Sequence, residues 1–136
     1  EAFTKAKRYG LGRTVPAGEG RPAKEIEVAI NFLHAQRIGH GLSVLDDYKT
    51  RDLVREKDVL IEACLSSNYH TGCINEYSDH PMKQWFENDI KFSLCTDNTL
   101  LSQTNLEKEF HLARKHCGLT KDQIRQTQFW AKEKLF

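Results

Sequence analysis

The stretch TVPAGEG, residues 14 to 20, sets a carboxyl group between two glycines, directly after β-branched and small residues. That is the composition of a strand end at an active site, and Glu19 is of the type that gives a proton to a reacting group. Pro16 stands where such a strand end would offer a metal ligand, and its side chain has no donor atom. Three more stretches close on polar groups: His40 in QRIGHG, Ser66 with Ser67 and Asn68 in VLIEACLSSN, and Asp97 with Asn98 in KFSLCTDN. Each has an ordinary alternative. Glu19 can simply open a helix, where a carboxylate favours the positive end of the dipole. His40 can be a loop histidine between glycines, and Asp97-Asn98 can close a turn after a strand. His34, His70, His80, His111 and His116 show no metal-ligand spacing and read as structural.

The elements that must hold these groups follow from periodicity. GRTVPAGE reads as a short strand, followed by a helix in which Ile26, Ala29, Ile30 and Leu33 share a face. Pro22 suits the first turn of that helix. QRIGHG is a second strand, and Asp46 or Asp47 offers an N-cap to a charged helix carrying Leu53 and Val54. VLIEACLSSN is a third, strongly β-prone run. DHPMKQWFEND opens a helix at Pro81 with Met82, Trp85 and Phe86 on one side, and KFSLCTDN is a fourth strand. Leu106, Phe110, Ala113 and Cys117 mark a longer helix that Gly118 can end in a left-handed cap. TKDQ, Thr120 to Gln123, has the pattern of a capping box for one more helix. Strand alternates with helix throughout, as in repeated βα units with a parallel sheet. Periodicity alone leaves an open doubly wound sheet and half of a (β/α)8 barrel equally possible. The polar groups named above fall at the C-terminal strand ends, the edge where α/β proteins bind ligands.

Composition narrows the function classes. Twenty basic and nineteen acidic residues give a net charge of +1, with no basic patch for nucleic acid. The longest apolar runs are too short to span a membrane. NLEKEFHLARKH is amphipathic with mixed charge and reads as a solvated helix. Cys64, Cys73, Cys95 and Cys117 lie far apart with no CxxC pair, so four free thiols in a reducing, cytoplasmic setting are expected. No linker interrupts residues 1–136, which read as one domain. The opening EAFTKAKRYG has no initiator Met and begins as if within a helix, so a fragment of a longer chain is expected.

VPAGEGRPAKEI, RIGHGLSVLDD, EACLSSNYHTG, DHPMKQW and SLCTDNTLLS together resemble, in order and spacing, the C-terminal half of the adenosine deaminase family. The resemblance covers essentially the whole chain. It implies strands five to eight of a (β/α)8 TIM barrel of metal-dependent hydrolase type. It also implies zinc-dependent conversion of adenosine to inosine and ammonia, with a small purine nucleoside as partner and no protein partner to be inferred. Asp97 stands at the position of the family's aspartate zinc ligand. Glu19 matches the glutamate that protonates purine N1, and Gly18 precedes it in the substrate pocket. His40 matches the histidine that orients and deprotonates the metal-bound water. Asn98 stands where many members have a second aspartate contacting purine N7. Zinc lowers the pKa of bound water toward neutrality and makes hydroxide available to attack C6. The ring nitrogen must then take a proton, so a protonated carboxyl group is needed beside it.

Two departures bear on activity. The family's first strand supplies a His-x-His pair, and this sequence contains none. The family's His-Ala-Gly-Glu reads Pro16-Ala17-Gly18-Glu19 here, which removes a histidine ligand. These residues alone are therefore expected to be inactive and to bind zinc weakly. A deaminase-like protein that binds purine or a protein partner without turnover is the second reading. A non-metal α/β binding domain is a third, and it leaves the five motifs unexplained.

Overall fold

The computed structural model describes residues 1–136. Four parallel strands lie side by side in chain order: β1 (Thr14–Ala17), β2 (Arg37–His40), β3 (Leu60–Ala63) and β4 (Phe92–Leu94). Helix α1 (Ala2–Arg8) precedes β1, α2 (Lys24–Asn31) joins β1 to β2, and α3 (Tyr48–Glu56) joins β2 to β3. Both α4 (Leu65–His70) and α5 (Met82–Glu87) lie between β3 and β4, while α6 (Leu106–His116) and α7 (Lys121–Glu133) follow β4. Parallel neighbours cannot be joined by a tight turn, so each crossover carries helix.

The register explains the two faces of the sheet. Val15, Ile38, Ile61 and Phe92 form one row across all four strands. All are buried, together with Ile26 of α2, Val54 of α3, Trp85 of α5 and Ala113 of α6. The next row is Pro16, Gly39, Glu62 and Ser93. On this opposite face Glu62 accepts a hydrogen bond from Thr14 Oγ1 at 2.7 Å and pairs with Arg37 at 3.1 Å. At Gly39 a Cβ would lie 3.2 Å from the Cα of Pro16, a tight contact.

The helix signals largely hold. Asp47, not Asp46, caps α3, accepting from Thr50 N at 2.8 Å. Thr120 and Gln123 form the expected reciprocal box at α7, and Gly118 takes φ +68 just beyond α6. Pro22 lies just outside α2, with Ala23 as the cap residue.

Two elements differ from the sequence expectation. The third strand stops at Ala63, and Leu65–His70 is helical. Leu65, Ser66, Ser67 and Asn68 are all buried, and continuous burial looks the same in a strand and in a buried helix. Helix α6 turns Glu109, Leu112 and Ala113 inward, while Leu106 is 45% exposed. Glu109 is fully buried because its carboxylate accepts from Thr104 Oγ1 at 2.6 Å and from Ser66 N at 3.1 Å. That second bond ties α6 to the first turn of α4.

His80 is buried against Trp85, edge to face with ring centroids 5.1 Å apart, and neither ring nitrogen has a partner. Burial, with a smaller contribution from His40, pushes its pKa down to about 3. The folded state therefore holds His80 neutral, while the unfolded chain protonates it near pH 6.5. The unfolded state binds the extra proton in that window, so stability is fully present above pH 6.5 and declines as pH falls. From pH 7 to pH 5 this one site should cost about 2 kcal/mol. Chemical denaturation of the wild type and of His80→Gln at both pH values measures it. A wild-type stability that falls no more steeply than the variant's would show that His80 is not the titrating group.

Candidate active site

The C-terminal rim of the sheet gathers most of the predicted site residues. Ala17 of β1 lies beside His40 of β2 in the register, so the residues just beyond both strands meet. His40 Nε2 sits 3.3 Å from Glu19 Oε2. The turn that brings them together is built from left-handed residues: Gly18 at φ +73, His40 at +67 and Gly41 at +62. Glycine takes this conformation freely, whereas histidine adopts it only where the surroundings hold it. At Gly18 space adds a second constraint, because a Cβ would lie 2.7 Å from Ser43 Oγ and 2.8 Å from Ile26 Cδ1.

Helix α4 supplies what the sequence reading placed at a strand end but gave no role. Asn68 Nδ2 donates to Glu19 Oε1 at 2.9 Å and lies 3.1 Å from His40 Nδ1. Thr71 Oγ1 donates to the same Glu19 oxygen at 3.1 Å. Ser67 Oγ donates to Asp97 Oδ2 at 2.8 Å. One short helix thus contacts the ends of β1, β2 and β4. The pattern SSN immediately after an apolar strand was the available signal, and it needed the helical turn to be legible. Asn68 has no exposed surface and His40 is 8% exposed, so this part of the rim is largely shielded from water.

Asp97 follows β4 at φ +54 and is exposed. Asn98 is also exposed, and its Oδ1 accepts from Leu100 N at 3.1 Å and Leu101 N at 2.9 Å. This is the turn-closing geometry available to that pair. It also fixes the side chain, because a committed Oδ1 leaves Nδ2 as a donor toward solvent. Pro16 is exposed, between buried Val15 and Ala17, so its ring lies on the same face as Thr14.

The thiols are all free, with Cys64 and Cys117 buried and Cys73 and Cys95 partly so. Burial, with Cys95 and the carboxylates of Asp97, Glu62 and Glu109 adding to it, pushes the Cys64 thiol above its ordinary range. Burial raises Cys95 likewise and lifts Cys117 to about 12. None of the three is a thiolate near pH 7, the form that binds metal.

The adenosine deaminase family model matches residues 1–136. Adenosine deaminase from Clostridium kluyveri is 39% identical over 126 residues, covering 93% of this chain and 36% of that protein. Its counterpart from Photorhabdus laumondii is 40% identical over 134 residues, covering 98% of this chain and 40% of that protein. The chain belongs to the adenosine deaminase family. It spans well under half the length of these relatives.

Among solved structures, adenine deaminase from Arthrobacter aurescens superposes with a TM-score of 0.92 at 22% identity, over 98% of this chain and 41% of that one. An amidohydrolase from Burkholderia ambifaria with bound Zn gives 0.88 at 22% identity, over 98% and 38%. Arabidopsis ADAL complexed with IMP gives 0.84 at 25% identity, over 97% and 38%. The fold is that of the C-terminal half of a (β/α)8 barrel, with the four βα units counted from sequence.

Zinc fits these residues poorly when they stand alone. No group of three or more His, Cys, Asp or Glu side chains could hold a metal ion. Asp97 has one oxygen engaged by Ser67, and Pro16 offers no donor. Three protein ligands are the usual number at a catalytic zinc. Calorimetric titration of this chain with zinc should accordingly show no stoichiometric binding at Asp97. One zinc per chain that survives dialysis and is lost in Asp97→Ala would reveal donors beyond those described.

Proposed function

We propose that these residues form the acid–base half of an adenosine deaminase, converting adenosine to inosine and ammonia in the whole protein. The contact of Glu19 with His40 at 3.3 Å, at the ligand-binding rim of the barrel, carries this reading. Hydrolytic deamination needs a proton delivered to purine N1 as water adds to C6, and a base for the proton of that water. Glu19 has the first role and His40 the second. Asn98, with Oδ1 fixed by backbone, turns an N–H donor outward, and N7 of a purine is an acceptor. Family membership and neighbours described as an adenine deaminase and as an IMP complex favour the purine class. Zinc would take Asp97 from this chain and its remaining donors from the rest of the protein. Four free thiols suit a reducing, cytoplasmic setting, and no helix is long and apolar enough to cross a membrane.

Pro16 favours a second reading, a purine-binding member without turnover, and a hybrid protein separates the two. The chain is joined to the segment that precedes the matched region in a bacterial relative, and ammonia release from adenosine, adenine and AMP is measured. Adenosine should be deaminated, and Glu19→Gln should abolish turnover while leaving the zinc content unchanged, because an amide cannot deliver the ring proton. Pro16→His should raise zinc content and turnover together by about 10- to 100-fold, the usual scale for one supporting ligand. A Pro16→His hybrid that carries zinc yet deaminates none of the three purines would establish the binding-protein reading instead.

A further inference from the structure

One nitrogen atom, Asn68 Nδ2, faces both Glu19 and His40, at 2.9 and 3.1 Å. An amide nitrogen has two hydrogens and no lone pair to share, so both neighbours must accept. Glu19 does so as a carboxylate. His40 does so only if Nδ1 is unprotonated, which puts the proton of the neutral ring on Nε2, directed at Glu19 Oε2 3.3 Å away. Turning the amide over would set Oδ1 against the carboxylate oxygen, acceptor against acceptor. The orientation of the amide, the charge of Glu19 and the tautomer of His40 are thus one linked choice.

The opposite choice is also complete. When Glu19 carries a proton it can donate to Oδ1, and the turned amide can then accept from His40 Nδ1–H as well. That leaves Nε2 with a free lone pair. Asn68 is fixed for such a turn about its last bond alone: its N donates to Cys64 O at 2.9 Å, and its O accepts from Cys73 N at 3.0 Å and Ile74 N at 3.2 Å. In the present orientation Oδ1 is buried without a partner, which keeps the two orientations closer in energy than a fully bonded amide would allow.

We propose that Asn68 is a positioning residue that makes protonation of Glu19 and the release of His40 Nε2 a single event. The Nε2 proton passes to Glu19 Oε2, and one proton from solvent is taken up at Nδ1. Acid and base are thus armed together, where two independent groups would arm separately. The proposal rests on the acid–base roles given above to Glu19 and His40, but it is read without any turnover. Two other titratable side chains lie near the pair. Cys73 Sγ lies 3.3 Å from Thr71 Oγ1, and His80 has no hydrogen-bond partner. Neither bonds to Glu19 or His40.

The test is nitrogen-15 NMR of the histidine rings in this chain, with carbon-13 NMR of the Glu19 carboxyl group. At pH 8 His40 should be in the Nε2–H form. Asn68→Asp, which offers only acceptors, should switch it to Nδ1–H, and Asn68→Leu should give a mixture. On acidification of the wild type, Glu19 protonation and the exchange of Nε2–H for Nδ1–H should share one midpoint, and in Asn68→Leu the two should separate. A ring protonated on both nitrogens beside an ionised Glu19 overturns the coupling. An Nδ1–H ring in the wild type at pH 8 overturns the proposal, and that result needs no variant to fold. Separate midpoints in the wild type overturn the coupling. A hybrid enzyme without deaminase activity would sink the proposed function while leaving these spectra as they are.

Discussion

The parallel register of β1 and β2 sets everything else at the rim. It places Ala17 beside His40, and a Cβ at Gly39 would meet the backbone of Pro16 at 3.2 Å, a tight contact that glycine avoids. The chain then turns sharply at Gly18 and again at His40 and Gly41, all in the left-handed region. A histidine held at φ +67 is a costly choice for a loop, of the order of 1–3 kcal/mol, and it persists because its neighbours over-determine it. Those neighbours are Glu19 and Asn68.

Helix α4 turns this local arrangement into a site that spans the sheet. It starts one residue after β3, and its buried polar side chains reach sideways to both flanks: Asn68 toward β1 and β2, Ser67 toward β4. The helix is only a turn and a half long and has no side-chain cap. Its first turn is instead held by Glu109 of α6, whose carboxylate accepts Ser66 N–H at 3.1 Å. A fully buried carboxylate of this kind is retained only where its oxygens are bonded, and both are. The rim geometry thus depends on a residue 43 positions further along the chain.

Much of this was legible before any coordinates. Alternating strand and helix signals, Asp47, the Thr120–Gln123 box and Gly118 are local features, and local features survive in the fold. The placement of Glu19, His40 and Asp97 at or just beyond strand ends was legible because each closes a short β-prone run. What escaped the sequence reading was non-local. The end of β3 was hidden by unbroken burial from Leu60 to Asn68, with only Glu62 partly exposed. The burial of Glu109 was hidden because a Glu on a charged helix looks solvated until Ser66 and Thr104 are brought to it. Asn68 looked like one more polar residue at a strand end, since its two partners lie 49 and 28 residues away.

Pro16 shows how separable scaffold and chemistry are at this rim. Arg13 and Ala17 turn their carbonyls toward β2, accepting from Arg37 N at 3.2 Å and Gly41 N at 3.0 Å. Backbone groups alternate along a strand, so those of Thr14 and Pro16 point away from β2, toward the free edge of the sheet. The missing N–H of proline therefore breaks no hydrogen bond within these four strands, and an edge strand with that position facing outward is a setting that tolerates proline. Glu19 and His40 keep their contact, and the register with Gly39 is unchanged. The effect of Pro16 would be felt by any strand that docked on that edge. That strand would meet a residue with no donor in its backbone and none in its side chain. A carbonyl of such a strand facing Pro16 would have to find water or another partner.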